Sequence, residues 1–216
     1  MEVDLLTRIT AQQPDRSERL AVRRTLTESQ RVELGQFEEE YFDGPTGYGG
    51  YYYDGRHALA VRKMIERYEL SADSRVLDIG CAKGFMLYEF LRAGIEGVCG
   101  CDVSRYAIAH AHPEIKDRLE VMSADQLGFP DGAFDLVYSI DVIHNLAPAD
   151  CDRAIKEIMR VSRRAKFIQV VSFETAAEEH RLREWGVTVK TIRSKETWRE
   201  AFGRLGYQGD YYLKTF

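Results

Sequence analysis

The sequence lacks any apolar stretch that approaches the ~20 residues needed to span a membrane as a helix. Its first twenty residues, MEVDLLTRITAQQPDRSERL, also lack the apolar core and the small-residue cleavage site of a secretory signal. These two absences predict a cytoplasmic protein without a membrane partner.

Cysteine is scarce, and none of the four cysteines forms a C-x-x-C pair. Structural zinc sites commonly use such pairs, so we predict that no metal is bound. The simplest interpretation is that the cysteines are small apolar core residues in a reducing compartment. They are Cys81, Cys99, Cys101 and Cys151.

Positive charge is not in excess. The chain has 30 Lys and Arg residues against 35 Asp and Glu residues, and its formal net charge is −5. Nucleic-acid binding draws on clustered cations, so this balance argues against a nucleic-acid partner. Residues 181–204 are rich in Lys and Arg, which we interpret as a solvated surface, with a local basic patch as the alternative.

From residue 57 onward, short apolar runs alternate with segments of helical periodicity. Strands are predicted in RVLDIG, GVCGCDV, LEVMSAD, FDLVYSID, AKFIQVVSF and GDYYLKTF, and GVTVKTI is either a strand or an extended loop. This pattern predicts a doubly wound, Rossmann-like α/β fold. We expect a mostly parallel seven-stranded sheet with helices on both faces. Ligands of such sheets bind at the carboxyl ends of the strands.

Two different segments precede this alternation: a charged, helix-prone stretch and YFDGPTGYGGYYYDGRH, which is rich in glycine and tyrosine. We therefore divide the chain into two parts. Residues 1–56 form an N-terminal helical extension with a tyrosine-rich loop, and residues 57–216 form the ligand-binding domain, with 174–194 as a cap or insertion. The tyrosines either cover a bound cofactor or pack the N-terminal helix on the core.

The strongest signal is VLDIGCAKGFML, in which a buried strand turns into a helix through small residues. Small residues let a ligand approach the backbone, and an acid at the strand end suits a ligand with positive charge. The segment resembles motif I of the class I S-adenosylmethionine-dependent methyltransferases, an acid followed by G-x-G-x-G. It matches at Asp78, Gly80 and Gly84, with Ala82 replacing the middle glycine. The resemblance implies that Cys81 also borders the cofactor.

Further acids follow the next two strands. An acid at the position of Asp102 can accept hydrogen bonds from both ribose hydroxyls, although it could instead cap the next helix. The resemblance assigns the ribose to Asp102 with Val103 beside it, and the adenine amino group to Asp125 with Gln126 beside it. The phrase FPDGAFDLV is similar to the family's approach to its fourth strand. The implied cofactor is S-adenosylmethionine, and the implied product is S-adenosylhomocysteine.

In the family, the loop after the fourth strand borders the transferred methyl group, which implies a cofactor contact at Ile140. Histidine has an ordinary pKa near 6.5, so His144 is the candidate general base; lining the pocket or capping a helix is its alternative role. We expect Asp141 to contact the cofactor or the substrate, and Asn145 to orient His144 or the acceptor. A metal-dependent enzyme would instead use oxygen ligands such as Asp141 and Glu174.

The acceptor site is the least constrained part of the prediction. We expect Tyr52, Arg56 and His57 to contact the acceptor together with Asn145. The loop after the fourth strand lacks the Asn/Asp-Pro-Pro-Tyr/Phe motif, which argues against amino groups of nucleobases or glutamine as acceptors.

The resemblance implies transfer of a methyl group to an oxygen or nitrogen atom of a small polar metabolite, such as a sugar or a biosynthetic intermediate. The alternatives are an RNA or protein methyltransferase, a non-catalytic S-adenosylmethionine-binding module, and a nicotinamide oxidoreductase. The last would need a G-x-G-x-x-G turn, which the sequence lacks.

Overall fold

The computed structural model describes residues 1–6 and 16–215. Its strands are β1 (Arg75–Ile79), β2 (Gly97–Asp102), β3 (Leu119–Val121), β4 (Phe134–Ile140), β5 (Ser162–Val171) and β6 (Asp210–Lys214). They form one sheet in the order β3-β2-β1-β4-β5-β6, and every neighbouring pair is parallel. The order reverses between β1 and β4, which is where doubly wound sheets open a ligand crevice.

The helices are α1 (Arg16–Arg24), α2 (Glu28–Leu34), α3 (Glu39–Phe42), α4 (Ala58–Arg67), α5 (Phe85–Arg92), α6 (Arg105–Ala109), α7 (Pro148–Val161), α8 (Ala176–Trp185) and α9 (Lys195–Leu205). Several begin at a residue whose side chain accepts a hydrogen bond from the first turn. Thr175 and Glu178 form a capping box on α8, and Ser194 caps α9. Such caps satisfy backbone N–H groups that have no partner within the helix.

The core has two layers because successive strand residues point to opposite faces of the sheet. Val76 of β1 belongs to the layer with α4 and α5, whereas Leu77 belongs to the layer with α7 and α9. The predicted doubly wound fold with helices on both faces is therefore confirmed. Three of the four cysteines are buried and all four are free thiols.

Within residues 1–6 and 16–215 the sheet has six strands, so the prediction of seven was wrong. The segment GVTVKTI forms no strand, because the amides of Lys190 and Thr191 donate to the carbonyl oxygen of His144 rather than to a neighbouring strand. The outer edge of β6 is met instead by the start of the chain, where the amide of Val3 donates to Tyr211 at 2.8 Å.

The N-terminal region is helical where the structure describes it, in α1 to α3, while residues 7–15 of the predicted extension lie outside the described residues. Residues 174–194 contain α8 and an extended connection to α9. The division of the chain after residue 56 stays a prediction. Within residues 1–6 and 16–215, no helix combines the length and apolarity required to cross a membrane.

Candidate functional site

A cavity of about 330 Å³, called here the main cavity, opens where the carboxyl ends of β1, β2 and β4 meet residues 35–51. Gly80, Asp102 and Ile140 line it from the sheet, and Tyr41 and Tyr48 line it from the opposite side. We call residues 35–51 the cover segment. The main cavity lies at the edge of the sheet where the strand order predicts a ligand.

The turn after β1 forms the floor of the main cavity. Gly80 has a φ of +79°, and a Cβ there would lie 2.1 Å from a methyl carbon of Val142, so only glycine fits. Ala82 also lies in the left-handed region, with a φ of +50°. Its amide donates to Asp102 at 2.8 Å, which ties the turn to the end of β2.

Two buried acids stand beside this turn without a basic partner among the described residues. Tyr138 donates its hydroxyl to Asp78 at 2.9 Å, and the Ser104 amide donates to Asp102 at 2.9 Å. Burial raises the pKa of Asp78 to about 8, and burial also raises the pKa of Asp102. A cationic ligand nearby would stabilise both carboxylates, so this side of the cavity is suited to positive charge.

The cover segment is held on the sheet by a partly buried polar cluster. Lys83, which follows β1, binds both carboxylate oxygens of Asp43 at 2.7 and 2.9 Å. The hydroxyl of Tyr106 and the amide of Tyr51 also donate to Asp43. The ring of Tyr51 stacks on Phe85 with centroids 5.3 Å apart. Aromatic rings therefore cover the main cavity, as one of the two alternatives for the tyrosine-rich loop predicts.

Asp141 lies at the far end of the main cavity, immediately after β4. It has a φ of +58°, a conformation that costs energy for a residue with a side chain. Burial would raise the pKa of its carboxyl, but nearby Lys214 and His144 lower it, and the net pKa lies below the ordinary value. Lys214 binds one carboxylate oxygen at 3.0 Å, while the buried Oδ1 has no hydrogen-bond partner within residues 1–6 and 16–215.

His144 does not line the main cavity. It lines a neighbouring cavity of about 80 Å³, called here the side cavity, and is only 3% exposed. Burial lowers the pKa of His144 to about 4, so the ring is neutral at pH 7. Its Nδ1 accepts a hydrogen bond from the Val171 amide at 3.4 Å, which leaves the ring proton on Nε2. The side chain is thus arranged to donate a hydrogen bond more readily than to accept a proton.

The structure brings together part of the predicted site. Of the predicted cofactor and catalytic residues, Gly80, Asp102, Val103, Ile140 and Asp141 line the main cavity, as does the predicted acceptor contact Asn145. Asp78 stands just behind the turn, bonded to Tyr138. Cys81, Gly84 and Gln126 do not line it. Gly84 instead serves packing, since a Cβ there would lie 2.6 Å from Ile115.

Four other residues that were predicted to contact the ligands do not line the main cavity. Asp125 forms an ion pair with Arg153 at 3.0 Å, and its neighbours Met122, Ser123 and Ala124 line the cavity in its place. Tyr52 is 67% exposed, Arg56 binds Asp54, and His57 precedes α4 away from both cavities. Tyrosine richness marked the cover segment correctly but did not show which of its residues face inward.

The side cavity was missed altogether. It is lined by Arg19, Arg23, Asp141, His144, Trp185 and Lys214, among others. Arg19 and Arg23 are four residues apart on α1 and therefore share a helix face, which is the one signal that could have drawn attention to them. Glu174, named above as a ligand only for the alternative of a metal-dependent enzyme, pairs with Lys195 at 3.0 Å. The described residues contain no group of three or more His, Cys, Asp or Glu that could hold a metal ion.

Comparison with known proteins supports a methyltransferase. A family model described as a methyltransferase domain matches residues 77–168, from β1 into β5. Together with the similar proteins, this match supports a class I S-adenosylmethionine-dependent methyltransferase. The matched residues include the turn after β1, the acid at the end of β2 and the loop after β4, which are the parts that build the main cavity.

Several curated methyltransferases are similar to this chain. The 27-O-demethylrifamycin SV methyltransferase of Amycolatopsis mediterranei is 26% identical over 64% of this chain and 56% of its own length. The aklanonic acid methyltransferase of Streptomyces sp. strain C5 is 37% identical over 35% of this chain and 38% of its own. The EEF1A lysine methyltransferase 4 of Mus musculus is 31% identical over 47% and 41%. The chain spans about half the length, or less, of these relatives.

The fold has solved counterparts as well. A crystal structure of a methyltransferase from Bacillus halodurans C-125 superposes with a TM-score of 0.55 at 19% identity, covering 68% of each chain. This likeness supports the Rossmann-like fold.

The site residues fit S-adenosylmethionine, the cofactor of the family. This cofactor has a sulfonium, an ammonium group and a ribose diol. Asp102 at the end of β2 is suited to the diol. The buried Asp78 and Asp102 have no basic partner among the described residues, and they would be stabilised by the cofactor's positive charge.

Proposed function

We propose that this chain transfers a methyl group from S-adenosylmethionine to an oxygen or nitrogen atom of a small polar metabolite. The observation that carries the proposal is the meeting of two cavities at one carboxylate. Tyr41, Tyr48, Asp141 and Asn145 line both the main cavity and the side cavity. A cofactor in the main cavity and an acceptor in the side cavity would meet at Asp141.

When bound, S-adenosylmethionine supplies a methyl group on a good leaving group, and the new bond forms as the carbon–sulfur bond breaks with its electrons passing to sulfur. The chain's own residues mainly align the acceptor and exclude water. Oδ1 of Asp141 has no hydrogen-bond partner among the described residues, so it can accept a hydrogen bond from an acceptor O–H or N–H. That bond would direct the acceptor's lone pair toward the methyl carbon.

His144 remains part of the proposal, with a changed role. A ring with a pKa of about 4 is a weak base, and Nδ1 is already engaged by Val171. We propose that its Nε2–H orients the acceptor, that Asp141 accepts a hydrogen bond from the acceptor's O–H or N–H, and that this proton leaves to water once the new bond to the methyl carbon has formed. Asn145 supports the loop by donating to the Asp141 carbonyl at 3.3 Å and accepting from Thr188 at 2.9 Å.

The rival acceptors are a protein or an RNA, and one similar protein is a lysine methyltransferase. The size of the side cavity, about 80 Å³, favours a small acceptor group over a polymer surface. A non-catalytic cofactor-binding module would show tight cofactor binding and no turnover on any acceptor.

Calorimetric titration with S-adenosylmethionine, S-adenosylhomocysteine and NAD tests the cofactor first. We expect saturable binding of the first two ligands, no binding of NAD, and loss of binding in Asp102→Ala. Asp131→Ala is the matched control, because Asp131 lies on the surface and pairs only with Arg160. Preference for NAD, or equal binding by both variants, would refute the proposal.

A screen of acceptors with His144→Asn tests catalysis. We expect unchanged S-adenosylhomocysteine affinity and lower turnover in this variant. If turnover is the same as in the unmodified protein, His144 has no part in the reaction.

A further inference from the structure

The side cavity contains a buried cation for which the described residues offer no counter-ion. Arg23 is 8% exposed, and burial lowers the pKa of its guanidinium. One of its terminal nitrogens donates to the Trp185 carbonyl oxygen, and the guanidinium carbon lies 4.5 Å from the centroid of the Trp185 ring. Its Nε is buried and finds no hydrogen-bond partner in the part of the chain that the structure describes.

Burying a guanidinium without an anion is costly, so such groups are normally paired. Within residues 1–6 and 16–215, no carboxylate forms an ion pair with Arg23. The groups that influence its charge most are Tyr48 and Tyr41, which favour it, and Arg19, which opposes it. The described residues around Arg23 therefore enclose its side chain but supply no carboxylate to balance its positive charge.

The charges around the side cavity are mainly positive. Its lining contains three cationic side chains, Arg19, Arg23 and Lys214, against the single carboxylate of Asp141, while His144 is neutral. Lys214 and Asp141 bind each other, so the positive charge that is not balanced lies on Arg19 and Arg23. Arg19 donates to the Tyr48 carbonyl at 2.9 Å and also pairs with no acid in the described part of the chain.

We propose that the side cavity binds a carboxylate of the methyl acceptor, with Arg23 as the recognising residue. The acceptor is then a small carboxylic acid whose nucleophilic O–H or N–H lies toward Asp141. The inference rests on the proposed function and adds the substrate class.

A planar guanidinium matches carboxylates and phosphates alike. The nearby Asp141 carboxylate repels a doubly charged phosphate more than a singly charged carboxylate, which favours the carboxylate. A site of about 80 Å³ has room for several water-sized groups, which is enough for an acid group and a short carbon chain.

The arginine Nε–H correlation in a nitrogen-15 NMR spectrum reports on Arg23 directly. The protein would be saturated with S-adenosylhomocysteine and titrated with butyrate, butyramide or inorganic phosphate at constant ionic strength. The Arg23 signal is the one missing from the spectrum of Arg23→Lys. We expect butyrate to shift this signal saturably and butyramide to leave it in place.

Two variants complete the test. Arg23→Gln is expected to weaken butyrate binding at least tenfold and to change S-adenosylhomocysteine affinity less than twofold. Arg24→Gln is the matched control on the next residue of α1, since Arg24 pairs with Glu184 and does not line the cavity. It should leave butyrate binding unchanged.

Three results would overturn the inference. The first is an unchanged Arg23 signal with butyrate, or an equal shift with butyramide. The second is a response to phosphate alone, which would assign the site to a phosphate. The third is a large loss of S-adenosylhomocysteine affinity in Arg23→Gln, which would mean that Arg23 holds the cofactor's own carboxylate. In that case the proposed methyl transfer would still stand.

Discussion

The main cavity and the side cavity are adjacent, yet the charges that flank them are opposite. The main cavity is flanked by Asp78 and Asp102, and the side cavity by Arg19 and Arg23. Each acid or arginine lacks a counter-ion among the described residues. The first pair suits a cationic cofactor and the second an anionic acceptor, so the two ligands would arrive at one loop from regions of opposite sign.

The largest expected effect is a difference in S-adenosylhomocysteine affinity between a variant of the main cavity and a variant of the side cavity. Asp102→Ala should weaken S-adenosylhomocysteine binding roughly a thousandfold, about 4 kcal/mol, because two hydrogen bonds to a charged acceptor contribute about 1.5–3 kcal/mol each. Arg23→Gln should leave this affinity nearly unchanged. Calorimetry on both variants measures the difference, and comparable losses would mean that the two cavities do not divide the ligands as proposed.

The next effect is on stability at alkaline pH. The pKa of Asp78 is raised to about 8, so the folded state holds a proton that the unfolded chain releases near pH 4. The free energy of unfolding should therefore fall between pH 5 and 8, by on the order of 3 kcal/mol. Urea unfolding measures it. Asp78→Asn should flatten this slope, and an unchanged slope in the variant would assign it to another group.

The side cavity should show a loss of stability at acid pH. The pKa of His144 is lowered to about 4, so below pH 6.5 the unfolded chain takes up a proton that the folded state refuses. Stability should fall from pH 6.5 to 4, by on the order of 2 kcal/mol. Urea unfolding of the unmodified protein and of His144→Asn should be compared across this pH range. The difference between them separates the loss of stability caused by His144 from the loss caused by carboxylate protonation. Equal curves would show that His144 is not buried as described.

Sequence reasoning found the first cavity and not the second for a physical reason. Asp78, Gly80 and Asp102 lie at the ends of adjacent strands, and each can be recognised from the few residues around it. The side cavity is assembled from Arg23, Trp185 and Lys214, which are distant in the sequence and meet only through tertiary packing.

The fold was predicted well because alternation of apolar runs and helices is a local pattern. All six observed strands coincide with predicted ones. The seventh failed because GVTVKTI has a strand-like pattern but gives its amides to the His144 carbonyl. The ion pair between Asp125 and Arg153 on α7 is likewise not visible in the residues around Asp125.

The smallest expected effect concerns the turn between the two acids. Ala82 has a φ of +50°, so Ala82→Gly should relieve strain and stabilise the fold by about 0.5–1 kcal/mol net of the added chain entropy. A thermal melt of the variant measures this. Ala107→Gly in α6 is a control of opposite sign, since glycine inside a helix costs about 1 kcal/mol. Destabilisation by both would show that Ala82 is not strained.

The positions of the strands along the chain also set the order in which the contacts of the site become available during synthesis. Tyr138 on β4, the partner of Asp78 on β1, lies 60 residues further along the chain than Asp78. Lys214 on β6, the partner of Asp141, lies 73 residues further along than Asp141. At roughly 5–20 residues per second, these contacts become available several seconds apart. A chain emerging from the ribosome thus assembles the acidic side first, and Lys214 joins Asp141 only when β6 has been made.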